Sequence, residues 1–178
     1  MDNIEAIPLT RTTINEGRVN NKFTKDLVQK RAIGLAGQNF FIEKFNNLSF
    51  KYKMKPKEEW FDTFDALLFN NINSEVLAEI ELKIREQWKN EKFPYPTIIV
   101  NASKVKKAPN KSIIIWTNHD CSQIMFWFDV SKLKKYPVRQ FVITKRRGWQ
   151  KNVVYDIPTS DLDFGWDNLI QKIEKKYG

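Results

Sequence analysis

Val76-Leu-Ala-Glu-Ile-Glu-Leu-Lys-Ile-Arg85 decides how this chain folds, because it satisfies two periodicities with opposite consequences. As a helix, it pairs Glu79 with Lys83 and Glu81 with Arg85 four residues apart. Ser74 is then a cap, and Leu77, Ile80, Ile84 and Trp88 form an apolar stripe. As a strand, it places Ile80, Leu82 and Ile84 on one face and Glu79, Glu81, Lys83 and Arg85 on the other. Leu82 falls off the helical stripe but fits the alternation, so the strand is favoured. Just upstream, Phe64-Asp-Ala-Leu-Leu-Phe69 is a short apolar run led by an acid, and Asn70, Asn71, Asn73 and Ser74 are turn residues. A hairpin turning near Ile72 and Asn73 brings Asp65 opposite the Glu79 to Glu81 region.

Outward from this hairpin, the chain reads as alternating helix and strand signals. Residues 26–45 place Leu27, Ile33, Leu35, Phe40, Phe41, Ile42 and Phe45 at three- and four-residue spacings, which predicts a half-buried helix. Gly34 and Gly37 inside it point to close approach by another backbone or a ligand. Leu48, Phe50 and Tyr52 alternate with Ser49, Lys51 and Lys53 as a strand that Pro56 ends. Ser112–Trp116 and Gln123–Phe128 predict a second hairpin around Asn118 to Cys121. Val138–Thr144 and Val153–Ile157 are further strands, and Trp166 to Lys176 is a closing helix. The fold class expected is α/β, with a mixed central β-sheet flanked by helices. Residues 1–25 read as a polar N-terminal arm, and 26–178 as a single domain.

The composition bounds what such a domain does. Its 178 residues carry 30 Lys and Arg against 21 Asp and Glu, a formal net charge of +9, so an acidic partner is expected. Hydrophobic residues at 42% and aromatics at 13% are too many for a disordered basic tail. No apolar run approaches the roughly 18 residues of a membrane span, and Met1 to Glu16 lacks a signal-peptide pattern. A single cysteine, Cys121, excludes an internal disulfide frame and a thiolate-rich zinc cluster, and fits a reducing, cytoplasmic location.

Converging carboxylates from adjacent strands, with a lysine two residues beyond the second, make the hard-oxygen site that Mg²⁺ prefers beside a substrate phosphate. In the order helix, strand, Asp-led strand, then Glu81-Leu82-Lys83 sixteen residues after Asp65, the chain resembles the PD-(D/E)XK, or restriction-endonuclease-like, nuclease superfamily. Gly34-Leu-Ala-Gly37-Gln38 looks like that family's Gly-x-x-x-Glu helix motif with Gln38 in the acid's place, Glu43 being the alternative in another register. No Pro precedes Asp65, and Asp62 competes for its role. The resemblance implies a metal-dependent DNA endonuclease, with structure-directed cutting of junctions or branched DNA favoured by the small size. It implies Asp65 and Glu81 as ligands of Mg²⁺ or Mn²⁺, Lys83 as the residue assisting the attacking water, and Gln38 or Glu43 as support. Because two strands must be cut, it also implies a homodimer as one arrangement.

Nucleic acid is expected to meet the basic clusters at Lys104, Lys106 and Lys107, and at Lys145, Arg146, Arg147 and Lys151 around Trp149. There guanidinium groups suit phosphates and an indole suits stacking on a base. Lys132, Lys134 and Lys135 form another cluster. Glu79 reads as a solvated acid, His119 as a turn residue, and Cys121, Trp88, Trp116, Trp127 and Trp166 as core. Trp60 also reads as core. The rival classes are a non-catalytic basic nucleic-acid-binding module, which predicts no metal requirement, and a protein-interaction or inhibitor protein for an acidic target.

Overall fold

The computed structural model describes residues 21–57, 64–89, 92–145 and 148–178. The chain divides into two compact units, Met1–Ala36 and Gly37–Gly178. Of the first, the described part is the helical stretch 21–36. This helix, α1 (Asn21–Leu48), starts inside the stretch read as an arm, and residues 1–20 lie outside the described residues. Gly34 has open space around it, whereas a Cβ on Gly37 would overlap the Cδ1 of Ile84.

In the second unit the deciding stretch is a strand. β1 (Tyr52–Pro56), β2 (Ala66–Asn70) and β3 (Val76–Ile84) form an antiparallel meander, and β3 also pairs in parallel with β5 (Ser112–Thr117). The turn between β2 and β3 follows from its side chains. Asn70 Oδ1 accepts from the Ile72 N–H, Asn73 Oδ1 accepts from the Glu75 N–H, and Ser74 takes a left-handed φ of 60°. The second expected hairpin is present as β5 and β6 (Ile124–Phe128), turning through Asn118 to Gln123. A two-residue strand, β9 (Asp163–Phe164), completes a six-stranded mixed sheet of order β1-β2-β3-β5-β6-β9.

Two expectations are corrected. The strands read at 138–144 and 153–157 do not join the central sheet. As β7 (Val138–Lys145) and β8 (Gly148–Pro158), they build a separate antiparallel sheet with β4 (Thr97–Asn101), in the order β4-β8-β7. The alternation at Leu48, Phe50 and Tyr52 is also not one strand. Residues up to Leu48 stay helical, Phe50 is 87% exposed, and β1 starts at Tyr52. Helix-end chemistry explains the difference. Lys53 Nζ donates to the carbonyls of Asn46 and Ser49, and Ser49 Oγ accepts from the Tyr52 N–H. The Asn46 side chain then pairs both backbone groups of Met54, occupying the open edge of β1.

The central sheet is covered on both faces. On one lie Phe41, Ile42 and Phe45 of α1 with Leu169 and Ile173 of α3 (Trp166–Tyr177), against Tyr52, Met54, Ile80, Leu82, Ile113, Ile115 and Phe126. On the other, Ile114, Trp116 and Met125 meet Ile98 and Val100 of β4 and Ile157 of β8. Val105 of the short helix α2 (Ala102–Lys106) and Val130 and Leu133 of a 3-10 turn complete that layer. β3 has a neighbour on each side, and on its second face Glu79 and Lys83 stay partly exposed while Lys104 of α2 reaches the Glu81 carboxylate between them. Glu81 is therefore buried, with 1% of its surface exposed, between Ile80 and Leu82. Among the described residues no helix is long and apolar enough to cross a membrane.

Candidate functional site

Register brings the acid that precedes β2 beside Glu81 of β3. Ala66 pairs with Ile80, and the Asp65 N–H donates to the Ile80 carbonyl at 2.8 Å, so Asp65 lies beside Glu81 on the next strand. Its side chain is fixed by the backbone: Oδ2 accepts from the Leu82 N–H at 2.8 Å. Its own carbonyl accepts from the Lys57 N–H at 3.0 Å and from Gln38 Nε2 of α1 at 2.8 Å. Helix α1, β3 and the residue that follows β1 thus meet at Asp65, which leads into β2. Oδ1 has no hydrogen-bond or ion-pair partner among the described residues.

Glu81 is held differently. Lys83 Nζ lies 2.5 Å from its Oε1 and Lys104 Nζ, from α2, lies 2.6 Å from its Oε2, one ammonium at each oxygen. The Lys104 contact is a hydrogen bond. The Lys83 contact is an ion pair without hydrogen-bond angles, which leaves the buried Oε1 without a hydrogen-bond donor. Lys104 also sits over the Phe64 ring, 5.1 Å from its centre. Lys83 is the more exposed lysine side chain, 44% against 23%.

Burial raises the Asp65 carboxyl above its ordinary range and the nearby charge of Glu81 adds to this, while the Leu82 N–H, Lys83 and Lys104 oppose it. Folded Asp65 therefore holds a proton more tightly than the unfolded chain does, so its ionised form lowers stability above the ordinary carboxylate range, and acidification relieves that loss. Asp65→Asn keeps an acceptor for the Leu82 N–H and removes the charge. Its melting temperature at neutral pH is expected to rise, and the gain to shrink toward acid pH in a thermal-melt series.

The donor set suits a small divalent cation. Oδ1 of Asp65 and the donor-less Oε1 of Glu81 are hard oxygens, and Mg²⁺ is held by one or two carboxylates, with water and substrate oxygens supplying the rest. Among the described residues no group of three or more His, Cys, Asp or Glu comes together, and the donors these residues supply here are the two carboxylates.

Of the other candidates, Glu43 is exposed on α1, and among the described residues nothing pairs with it; the helix residue that reaches Asp65 is Gln38. Glu79 pairs with Lys57 at 2.9 Å rather than standing free in solvent. His119 is exposed in the β5–β6 turn, and Cys121 is fully buried. Lys104 belongs to the carboxylate cluster, not to an open basic patch with the exposed Lys106 and Lys107. Trp60, Asp62, Arg146 and Arg147 lie outside the described residues, as do the side chains of Lys145, Trp149 and Lys151.

One residue here had no role assigned from sequence. Arg85 continues the alternation of Glu81 and Lys83, and its backbone N–H donates to the Thr117 carbonyl at 2.7 Å. Its Nε is buried without a hydrogen-bond partner, and burial pulls the guanidinium below its usual value. No ion pair involves it among the described residues. The signal was present as the fourth charge on the Glu79-Glu81-Lys83 face. Comparison with protein-family models, characterised proteins and solved structures yields no match to this chain.

Proposed function

We propose that the protein is a metal-dependent deoxyribonuclease of restriction-endonuclease-like architecture, hydrolysing phosphodiester bonds in DNA. The observation carrying this reading is the convergence of Asp65, Glu81 and Lys83 from one β-hairpin, with Gln38 of the first helix on Asp65. That is the helix, strand, strand, strand order that the resemblance implies. A Mg²⁺ or Mn²⁺ ion bound there supplies Lewis acidity, lowering the pKa of water and offsetting charge on the phosphodiester.

The chain's own groups do the rest. Glu81 is 1% exposed between two neighbouring strands, with an ammonium at each carboxylate oxygen to hold it in place. Asp65 is aimed by the Leu82 N–H, and its backbone is steadied by Gln38. Such support matters where sub-ångström placement of donors decides rate. Lys83 Nζ, tethered to Glu81 yet nearly half exposed, is placed to donate to a non-bridging phosphate oxygen as charge builds, and to orient the attacking water.

Arg85 suits the next phosphate along the same face, being a partly buried cation with no carboxylate partner among the described residues. Arg85→Met is expected to leave thermal stability unchanged or higher while flattening the slope of log affinity against log salt by about 1 in DNA titrations. An unchanged slope removes Arg85 from the binding surface.

The test of the reading is cleavage of supercoiled plasmid and of a labelled four-way junction with Mg²⁺, Mn²⁺ or EDTA. Cutting that needs metal supports it, and preference for the junction supports structure-directed cutting. Intact DNA in every condition, with salt-sensitive binding retained, replaces the nuclease with a basic nucleic-acid-binding module.

A further inference from the structure

We propose that Lys104 is a built-in competitor of the divalent cation at Glu81: in the metal-free protein its ammonium neutralises the carboxylate, and a cation gains the site only as Lys104 is drawn away. This rests on reading the site as metal-dependent.

A single carboxylate needs one cation for neutrality, and Lys83 already supplies it at Oε1. The second ammonium, 2.6 Å from Oε2, comes from a different element. Helix α2 is started by Asn101, whose Oδ1 accepts from the Ser103 N–H at 2.9 Å. Val105 of the same helix is fully buried, so the helix has a fixed seat. Lys104 leaves that seat between a carboxylate and the face of Phe64, the residue that precedes Asp65. The placement is therefore anchored at both its ends.

The charge around Glu81 then gives the consequence. Both oxygens of Glu81 already face an ammonium, so a divalent ion arriving alone meets positive charge at each of them. A DNA phosphate supplies negative charge and an alternative partner for the Lys104 ammonium. Cation affinity is thus low until substrate is present, which restrains cutting in its absence.

The experiment is titration with Mn²⁺ alone, without DNA, read by electron paramagnetic resonance, on the full chain and on Lys104→Met, Lys104→Arg, Lys106→Met and Asp65→Ala. Methionine keeps an apolar stem for Phe64, and Lys83 remains to neutralise Glu81. Lys104→Met is expected to bind Mn²⁺ about tenfold more tightly than the parent, the scale on which a unit charge beside a divalent ion acts even at water-like dielectric. Lys104→Arg, which restores the charge, and Lys106→Met, which removes an exposed one, are expected to match the parent, and Asp65→Ala to bind weakly. Asp65-dependent binding that Lys104→Met leaves unchanged or weakens overturns the competitor role and leaves the nuclease reading standing. Absence of Mn²⁺ binding from the parent and every variant overturns the metal-dependent reading itself, and the competitor role with it.

Discussion

Lys83→Met is expected to lower the rate of Mg²⁺-dependent plasmid cleavage by about 10²–10³-fold, the usual cost of deleting one group that faces developing charge. The loss should fall on kcat rather than KM. In the proposed reading, DNA would be held over many phosphates by the surplus of positive charge, whereas the Lys83 ammonium, tethered at one carboxylate oxygen, would meet one reacting group. The fold should survive, because Lys104 still pairs with the other oxygen of Glu81 and the methionine stem fills similar space. Single-turnover cleavage at saturating enzyme, with a thermal melt of the same preparation, checks both halves. A variant that cuts within a few-fold of the parent removes Lys83 from the chemistry, whatever happens to binding. Lys83→Arg distinguishes charge from geometry: a guanidinium restores charge but not the compact point donor, so partial rescue identifies electrostatic stabilisation and none identifies placement.

The hairpin that carries the site was legible because two local rules agreed there. Leu82 broke the helical stripe, and the Asn-rich turn fixed which residues of the two strands would face each other. Asp65 beside Glu81 follows from those alone. What sequence did not carry was depth. Alternation at Glu79, Glu81 and Lys83 reads as a wet face, yet the wet or dry state of a strand depends on whether something covers it. At Glu81 the contact comes from Lys104 of α2, 23 residues along the chain. For the same reason Lys104 read as part of a surface cluster, since nothing within its neighbourhood in the chain announces that α2 lies over β3. Strand signals at 138–144 and 153–157 were correct as strands, but the sheet they join is a question of pairing between β4 and β8 across more than fifty residues, which local pattern does not encode. Gln38 was separable from Glu43 only by helix register, and five residues along a helix exceed one turn by enough to put the two on different faces.

The buried carboxylate supplies the largest stability effect. Either lysine alone leaves Glu81 with one ammonium, so Lys83→Met and Lys104→Met are each expected to be mild, within about 1 kcal/mol. The double change Lys83→Met/Lys104→Met strands a carboxylate that is 1% exposed, and an uncompensated buried charge costs about 3–5 kcal/mol. In a domain of this size that is roughly 6–20 °C of melting temperature. The expected signature is strong non-additivity, because the two lysines are alternative counterions for one group rather than independent contacts. Adding Glu81→Gln to the double variant removes the charge and is expected to return most of the lost stability without restoring cleavage. Urea denaturation of the parent, the two single variants and the double closes the cycle, and the triple variant in the same assay checks the return. Losses in the double variant that equal the sum of the singles would mean that water reaches Glu81 freely, and the carboxylate would then lack the dry, preorganised setting on which its role at the site depends.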